Sequence, residues 1–273
     1  MDQLTRALER ARSEKQEPRD AAAQARDGIG DRDEVVAGAA DAAMRGLKVH
    51  ELDGDLLESA RILAPGAGGP HSAGYKMLRT QTLRRLDQLG ANTLAIVSAT
   101  ERAGKTLTAI NLAIAVAADR DRSVLLVDFD LRNPVIHERL GLEPDVGVEQ
   151  CLQEGRPLQE AMLRLDGYER LVVLPAREAI DNSSELLAEQ RTVDAISRLR
   201  LEDPRRIVIF DLPPLLQADD ALVAARYIQA GLLVVHEGRT RRVDVTRSIQ
   251  LLRDLPIVGT VLNGSREPSA APY

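Results

Sequence analysis

The chain has 273 residues, 44% hydrophobic and 29% charged, enough for one large domain with an appendage or for two small ones. Aromatic residues make up only 2% with no Trp, and 36 Lys/Arg against 42 Asp/Glu leave a formal charge of −6. Base stacking on nucleic acid and an overall basic field toward DNA or anionic lipid are thereby excluded as the main activity, and no nucleic-acid partner is expected.

Taken in chain order, residues 1–70 are rich in alanine and charge, lack aromatic residues and end in Pro65-Gly66-Ala67-Gly68-Gly69-Pro70. They read as a flexible charged N-terminal arm with too little apolar surface to fold alone. Leu4 to Arg12 is its one stretch with helical periodicity, and its apolar face is thin. The opening Met1-Asp2-Gln3 lacks a signal-peptide pattern. From His71 the texture changes. Short apolar runs at 93–98, 123–128, 171–174, 206–211, 231–235 and 257–262 read as strands buried on both faces. Helical stretches are expected at 105–118, 184–199, 220–228 and 244–252. This alternation predicts an α/β fold, a doubly wound, mainly parallel sheet flanked by helices, over residues 71–266, with a short tail at 267–273. Ligands of such sheets bind at the carboxyl ends of the strands.

The first predicted strand leads into Ala99-Thr100-Glu101-Arg102-Ala103-Gly104-Lys105-Thr106, the phosphate-loop pattern G-x-x-x-x-G-K-[ST] with Ala99 in place of the first glycine. Backbone N–H groups of such a loop wrap a β-phosphate, and Gly104 lets the chain approach closely. Lys105 neutralises phosphate charge, the Thr106 hydroxyl serves Mg2+, and the helix beginning there points its positive end at the anion. The expected nucleotide contacts are Thr100, Glu101, Arg102, Ala103, Gly104, Lys105, Thr106 and Leu107. An alanine is tolerated at position 99 if its φ is negative.

Two further strand tips bring acids. Asp128 and Asp130 close one apolar run and Asp211 another. An ionised carboxylate at the end of a buried strand is costly unless paired, and a magnesium ion bridging phosphates is such a partner. The alternative reading of a strand-end Asp is a helix cap or turn residue. Alternation along a strand puts Asp128 and Asp130 on one side. Phe129 and Phe210, the only phenylalanines, are expected to close the core beneath the site. Arg132 is a candidate phosphate contact or a solvated arginine. Arg239, Arg241 and Arg242 form a basic cluster, read as a solvated face or a site for an acidic partner. His50, His71, His137 and His236 lack metal spacing, and Cys151, the single cysteine, forms no internal disulfide and points to a reducing cytoplasm.

Residues 98–141, with the phosphate loop, Asn111-Leu112-Ala113 and Leu125-Leu126-Val127-Asp128-Phe129-Asp130-Leu131-Arg132-Asn133-Pro134, resemble the cytoplasmic kinase domain of bacterial tyrosine kinases, the CpsD/CapB family of capsule and exopolysaccharide synthesis. The likeness continues through Ser184-Glu185-Leu186-Leu187, Asp211-Leu212-Pro213-Pro214, Asp220-Ala221-Leu222 and Val261-Leu262-Asn263 and covers about residues 57–266. The resemblance implies binding of ATP and Mg2+ through Lys105, Thr106, Asp130 and Asp211, with Thr106, Asp130 and Asp211 as metal ligands. It implies Asp128 as acceptor of the tyrosine hydroxyl proton, so that the catalytic set is Lys105, Asp128, Asp130 and Asp211. Asn263 resembles the adenine-facing residue of related phosphate-loop proteins, and a plain strand-to-loop asparagine is the other reading.

By the same resemblance the partner is a membrane-embedded polysaccharide chain-length (co-polymerase) protein. No apolar run of the sequence is long enough for a membrane span, and the resemblance implies a cytoplasmic chain that its partner recruits to the inner face of the plasma membrane. A homo-oligomer is implied too, although the family's E-x-x-R-x-x-R self-association motif falls on Ala73, Lys76 and Arg79, without its acid. Of the four tyrosines only Tyr273 lies in the tail, where relatives carry several. The ten residues beyond Asn263 reach at most about 34 Å, enough for a neighbouring subunit's site. Two other readings stay open: a non-catalytic ATP-binding regulator of the export machinery, and a partitioning-type ATPase, whose extra lysine would stand where this chain has Thr100.

Overall fold

The computed structural model describes residues 46–203 and 205–265. Expectations for Leu4–Arg12 and for Tyr273 lie outside these residues. The described strands form one eight-stranded sheet. In chain order they are β1 (Val49–His50), β2 (Thr93–Ser98), β3 (Ser123–Asp128), β4 (Leu163–Leu165), β5 (Leu171–Leu174), β6 (Arg206–Asp211), β7 (Ala230–His236) and β8 (Ile257–Asn263). Their order across the sheet is β1-β4-β5-β3-β6-β2-β7-β8. All pairings are parallel except β4 with β5.

The four central strands β5, β3, β6 and β2 are buried at every position, as unbroken Val/Ile/Leu runs require when helices cover both faces. β8 forms one edge and is only half covered. The helices are α1 (Gly54–Ser59), α2 (Gly69–Leu89), α3 (Lys105–Ala117), α4 (Ile136–Leu140), α5 (Val148–Glu154), α6 (Ser183–Ala188), α7 (Gln190–Glu202), α8 (Asp220–Ala224) and α9 (Arg242–Leu251). α3 is apolar almost all round and is buried from Thr108 to Ala117, because α2 covers its outer side and the sheet its inner side. α2 contributes Thr82, Leu83 and Leu86 to that contact. It ends on Gly90 at φ 61°, a left-handed cap that glycine adopts without penalty.

Two segments differ from the sequence reading. Residues 46–70, assigned above to the arm, carry β1 and α1 and bury Leu57, Ile62 and Leu63 in the core. Asn111 of α3 fixes them, accepting from Leu63 N at 2.8 Å and donating to Arg61 O at 2.9 Å. Tyr168 adds a bond to Leu63 O at 2.6 Å. So few apolar residues leave no periodic signal, and their partners lie far away in the chain. The single helix expected at 184–199 is two, because Glu189 takes extended backbone (φ −64°, ψ 140°) between α6 and α7. The Thr192 hydroxyl bonds Leu186 O at 2.7 Å and closes the break without any Gly or Pro to announce it.

Candidate active site

The adjacent parallel strands β2, β6 and β3 deliver Ser98, Asp211 and Asp128 to one edge of the sheet, with Asp128 directly opposite Asp211 in register. The loop after β2 returns into α3 through Gly104, whose φ of 89° is left-handed. A Cβ there would stand 1.8 Å from the Asn263 amide nitrogen, so only glycine fits. Ala99 is not among the positive-φ residues, so the alanine at the loop's first position carries no backbone penalty. Arg102 is among them, at φ 57° on an exposed turn of the loop, which costs an L-residue roughly 1 kcal/mol or more. Backbone bonds from Leu215 N to Ser98 O (2.9 Å) and Leu216 N to Ala99 O (3.2 Å) tie the segment after β6 to the start of the loop.

Lys105, the first residue of α3, points its ammonium between two acids, 2.6 Å from Asp211 Oδ1 and 3.3 Å from Asp130 Oδ2. The Thr106 hydroxyl donates to Asp211 Oδ2 at 2.6 Å. These side chains are almost excluded from water, with 8% of Lys105, 9% of Asp130 and none of Asp211 exposed. Burial alone would lower the lysine pKa, and the charges of Asp211 and Asp130 outweigh it, leaving the ammonium more firmly protonated than usual. Burial pushes the Asp130 carboxyl above its ordinary range, opposed by the Lys105 charge.

Asp128 has a different environment from the one expected of a proton acceptor. It is wholly buried. One oxygen accepts from Asp130 N at 3.3 Å, the other from Val135 N at 3.1 Å and Ile136 N at 3.0 Å. Burial and the facing Asp211 push its pKa well up, against the Ile136 N–H. The alternative of a turn residue thus describes its contacts: it holds the loop from Asp130 to Ile136 closed. Beneath it Phe129 and Phe210 pack with ring centroids 5.2 Å apart and no exposed surface, closing the core as expected.

Asn263 ends β8 against the phosphate loop, its amide donating to Ala103 O at 2.9 Å. It therefore meets the loop backbone at Gly104. Thr100, Glu101 and Leu107 make no side-chain contact with the acids; Glu101 is exposed and Leu107 half-buried. Of the self-association positions, Arg79 bonds Ala115 O at 3.1 Å within the fold, while Ala73 and Lys76 are exposed. Arg241 pairs with Asp244 at 2.8 Å. Cys151 is buried and its thiol is pushed up to about 11 by burial, which suits a packing residue. A network among Arg132, Ser183 and Asp220 had no counterpart in the sequence reading. The sequence reading had Arg132 as a candidate phosphate contact or a solvated arginine, and Asp220 only as part of the family likeness.

The donor set fits Mg2+. It is all oxygen, and three acids face one lysine in a nearly dry space, an excess of negative charge that a divalent ion offsets. Among the described residues no three His, Cys, Asp or Glu converge tightly enough to cage a metal alone.

The nucleotide-binding domain of CobQ, CobB, MinD and ParA matches residues 94–271, which include every residue of this site. The chain belongs to that family. Among members of the CobQ/CobB/MinD/ParA class the resemblance narrows further. The tyrosine-protein kinase YwqD of Bacillus subtilis is 28% identical over 206 residues, 74% of this chain and 85% of its own. The tyrosine-protein kinase Etk of Escherichia coli K12 is 30% identical over 200 residues, 72% of this chain and 27% of its own, so the present chain spans about a quarter of Etk. The solved kinase domain of Etk superposes with a TM-score of 0.66 at 26% identity, covering 84% of this chain and 95% of that domain. No helix among the described residues is long and apolar enough to cross a membrane.

Proposed function

We propose that the chain is an ATP-dependent protein-tyrosine kinase that regulates exopolysaccharide or capsule polymerisation and export from the inner face of the plasma membrane, together with a membrane-embedded chain-length partner. The observation that carries this reading is the joint hold of Lys105 on Asp130 and Asp211, with Thr106 on Asp211, at the mouth of a phosphate loop. Relatives named tyrosine-protein kinases supply the reaction class.

In this reading the loop from Thr100 to Leu107 receives the phosphates of ATP on its backbone N–H groups, and Lys105 turns from the acids to the outer phosphates. Thr106, Asp130 and Asp211 would hold Mg2+, which when bound offsets charge on the phosphate oxygens. Asp128 keeps the loop after β3 in shape. The phenolic proton, with an ordinary pKa near 10, leaves late in the transfer and passes to a γ-phosphoryl oxygen; Asp128, which the family resemblance implied as its acceptor, is buried against its own loop. Lys105 is buried, so its pull on the phosphates is undiluted by solvent.

The described tyrosines make poor acceptors. Tyr168 is buried, bonds Leu63 O and is pushed up to about 12 by burial. The Tyr227 hydroxyl is buried, and Tyr75 is half-buried beside Asn111 and Thr108. The phosphate therefore goes to Tyr273 or to another chain. Mass spectrometry after incubation with ATP and Mg2+, with and without the cytoplasmic tails of the membrane partner, tests this. Phosphotyrosine at Tyr273 or on an added protein is the expected result. Vigorous hydrolysis with ATP-driven dimerisation and no labelled tyrosine would replace it with the partitioning-type reading.

A further inference from the structure

Two residues beyond Asp130, the Arg132 side chain is anchored from one edge. Its Nε donates to Asp220 Oδ1 at 2.9 Å and Oδ2 at 3.2 Å. Asp220 is 1% exposed, and Ser183 Oγ, also buried, donates to the same two oxygens at 2.7 and 3.0 Å. The segment leading into α6 is stitched to the same loop by Ile180 N to Leu131 O at 2.9 Å. A buried aspartate, a buried serine and the backbone thus fix one edge of a guanidinium whose side chain is still 43% exposed. Its two terminal amino groups make no hydrogen bond to a described residue, and one of them forms a loose ion pair with Asp219 at 3.9 Å. Here the inner edge is fixed and the outer edge is presented.

The sheet order places the Arg132 loop beside the site. The phosphate loop follows β2 and the Arg132 loop follows β3, with the Asp211 strand β6 between them. A triphosphate held by its β-phosphate at the loop and directed by Lys105 toward Asp130 and Asp211 puts its last phosphoryl group on the Arg132 side. We propose that Arg132 is a further contact to the transferred phosphoryl group and that Asp220 and Ser183 are positioning residues that hold its guanidinium for it. The inference rests on the kinase reading above.

In the transfer the bond from the γ-phosphorus to the bridging oxygen breaks, and its electron pair stays on ADP. A bond from the tyrosine oxygen to phosphorus forms, and the phenolic proton passes to an oxygen of the transferred phosphoryl group. Charge gathers on the γ-phosphoryl oxygens, where a planar guanidinium offers paired donors. Because Asp220 and Ser183 hold it beforehand, no reorganisation is needed as that charge develops.

The experiment compares binding of ATP-Mg2+ and ADP-Mg2+, and the kcat and KM of tyrosine phosphorylation, in wild type, Arg132→Ala, Arg132→Lys, Asp220→Asn, Ser183→Ala and the Arg132→Ala/Asp220→Asn double variant. Arg132→Ala is expected to weaken ATP about tenfold while leaving ADP unchanged, and to lower kcat at least as much. Arg132→Lys recovers only part of the loss. Asp220→Asn and Ser183→Ala shift the same ATP-to-ADP ratio by about threefold, and Asp220→Asn adds nothing in the Arg132→Ala background. Ser183→Ala leaves the charge pair in place and keeps the test open if Asp220→Asn misfolds. Equal weakening of ATP and ADP, an unchanged ratio in Arg132→Ala, or multiplying effects in the double variant would overturn the inference. Wild type that discriminates ATP from ADP through Arg132 yet labels no tyrosine would instead sink the kinase reading and leave the phosphate contact standing.

Discussion

Lys105 and Asp211 meet at 2.6 Å in a space from which water is nearly absent, with 8% of the lysine side chain and none of the aspartate exposed. Their separation in sequence is 106 residues. Such a pair gives little net stability when intact, since desolvation offsets most of the attraction, and losing one partner leaves a buried charge. Lys105→Met is expected to destabilise the chain by about 3–5 kcal/mol and to abolish nucleotide binding. Lys105→Met/Asp211→Asn should recover most of the stability and none of the binding, a split that chemical denaturation and nucleotide titration read separately.

Asp130 carries the opposite signature. Its pKa is raised in the folded chain, chiefly by burial, with Lys105 pulling it back. The folded state therefore holds the proton more tightly than the unfolded chain. The resulting contribution to stability is fully present below the ordinary carboxylate pKa and is lost as pH rises through the raised value. Asp130→Asn should thus be as stable as wild type in acid and more stable near neutrality, while tyrosine phosphorylation falls by about two orders of magnitude or more. Urea midpoints across that pH range check the first part; a gap that shrinks toward neutrality contradicts it.

Gly104 and Asn263 fit together as backbone and lid. Gly104→Ala puts a methyl group where the Asn263 amide stands and holds an alanine at φ 89°, at a cost of at least about 1–2 kcal/mol. Asn263→Ala opens that space and loses the bond to Ala103 O. The two substitutions should be less damaging together than their sum by a measurable coupling energy, because the clash needs both side chains. Thermal unfolding of the four-member cycle settles it.

Asn111 holds residues 61–63 to α3 with both ends of its amide. Asn111→Ala leaves Leu63 N and Arg61 O without those partners and should cost about 2–4 kcal/mol. The loss is local before it is global. Hydrogen exchange at the Leu63 amide should accelerate well before exchange in β2 or β3 does, whereas uniform acceleration would show that this segment unfolds only with the rest.

The strands at 93–98, 123–128, 171–174 and 206–211 are legible to the residue, because a strand covered on both faces needs a short apolar run rich in β-branched residues and bounded by polar ones. The phosphate loop is legible for a related reason: Gly104, Lys105 and Thr106 act through backbone shape and adjacent atoms, so their spacing is the site. β1 and β4 were not legible, being two and three residues long at the sheet's edge. Nor was the break at Glu189, where a threonine hydroxyl competes with helix continuation.

The amino-acid sequence by itself determined that this chain makes a parallel sheet with a phosphate loop at one strand end and acids at two others, since periodicity and local motifs are properties of neighbouring residues. Only the tertiary structure decided which groups each acid meets. Asp211 meets Lys105 and Thr106, Asp128 is spent on the backbone of its own loop, and Asp220 reaches Arg132 from another helix. Roles of that kind depend on which groups share a dry space, and burial is set by packing between segments far apart in the chain.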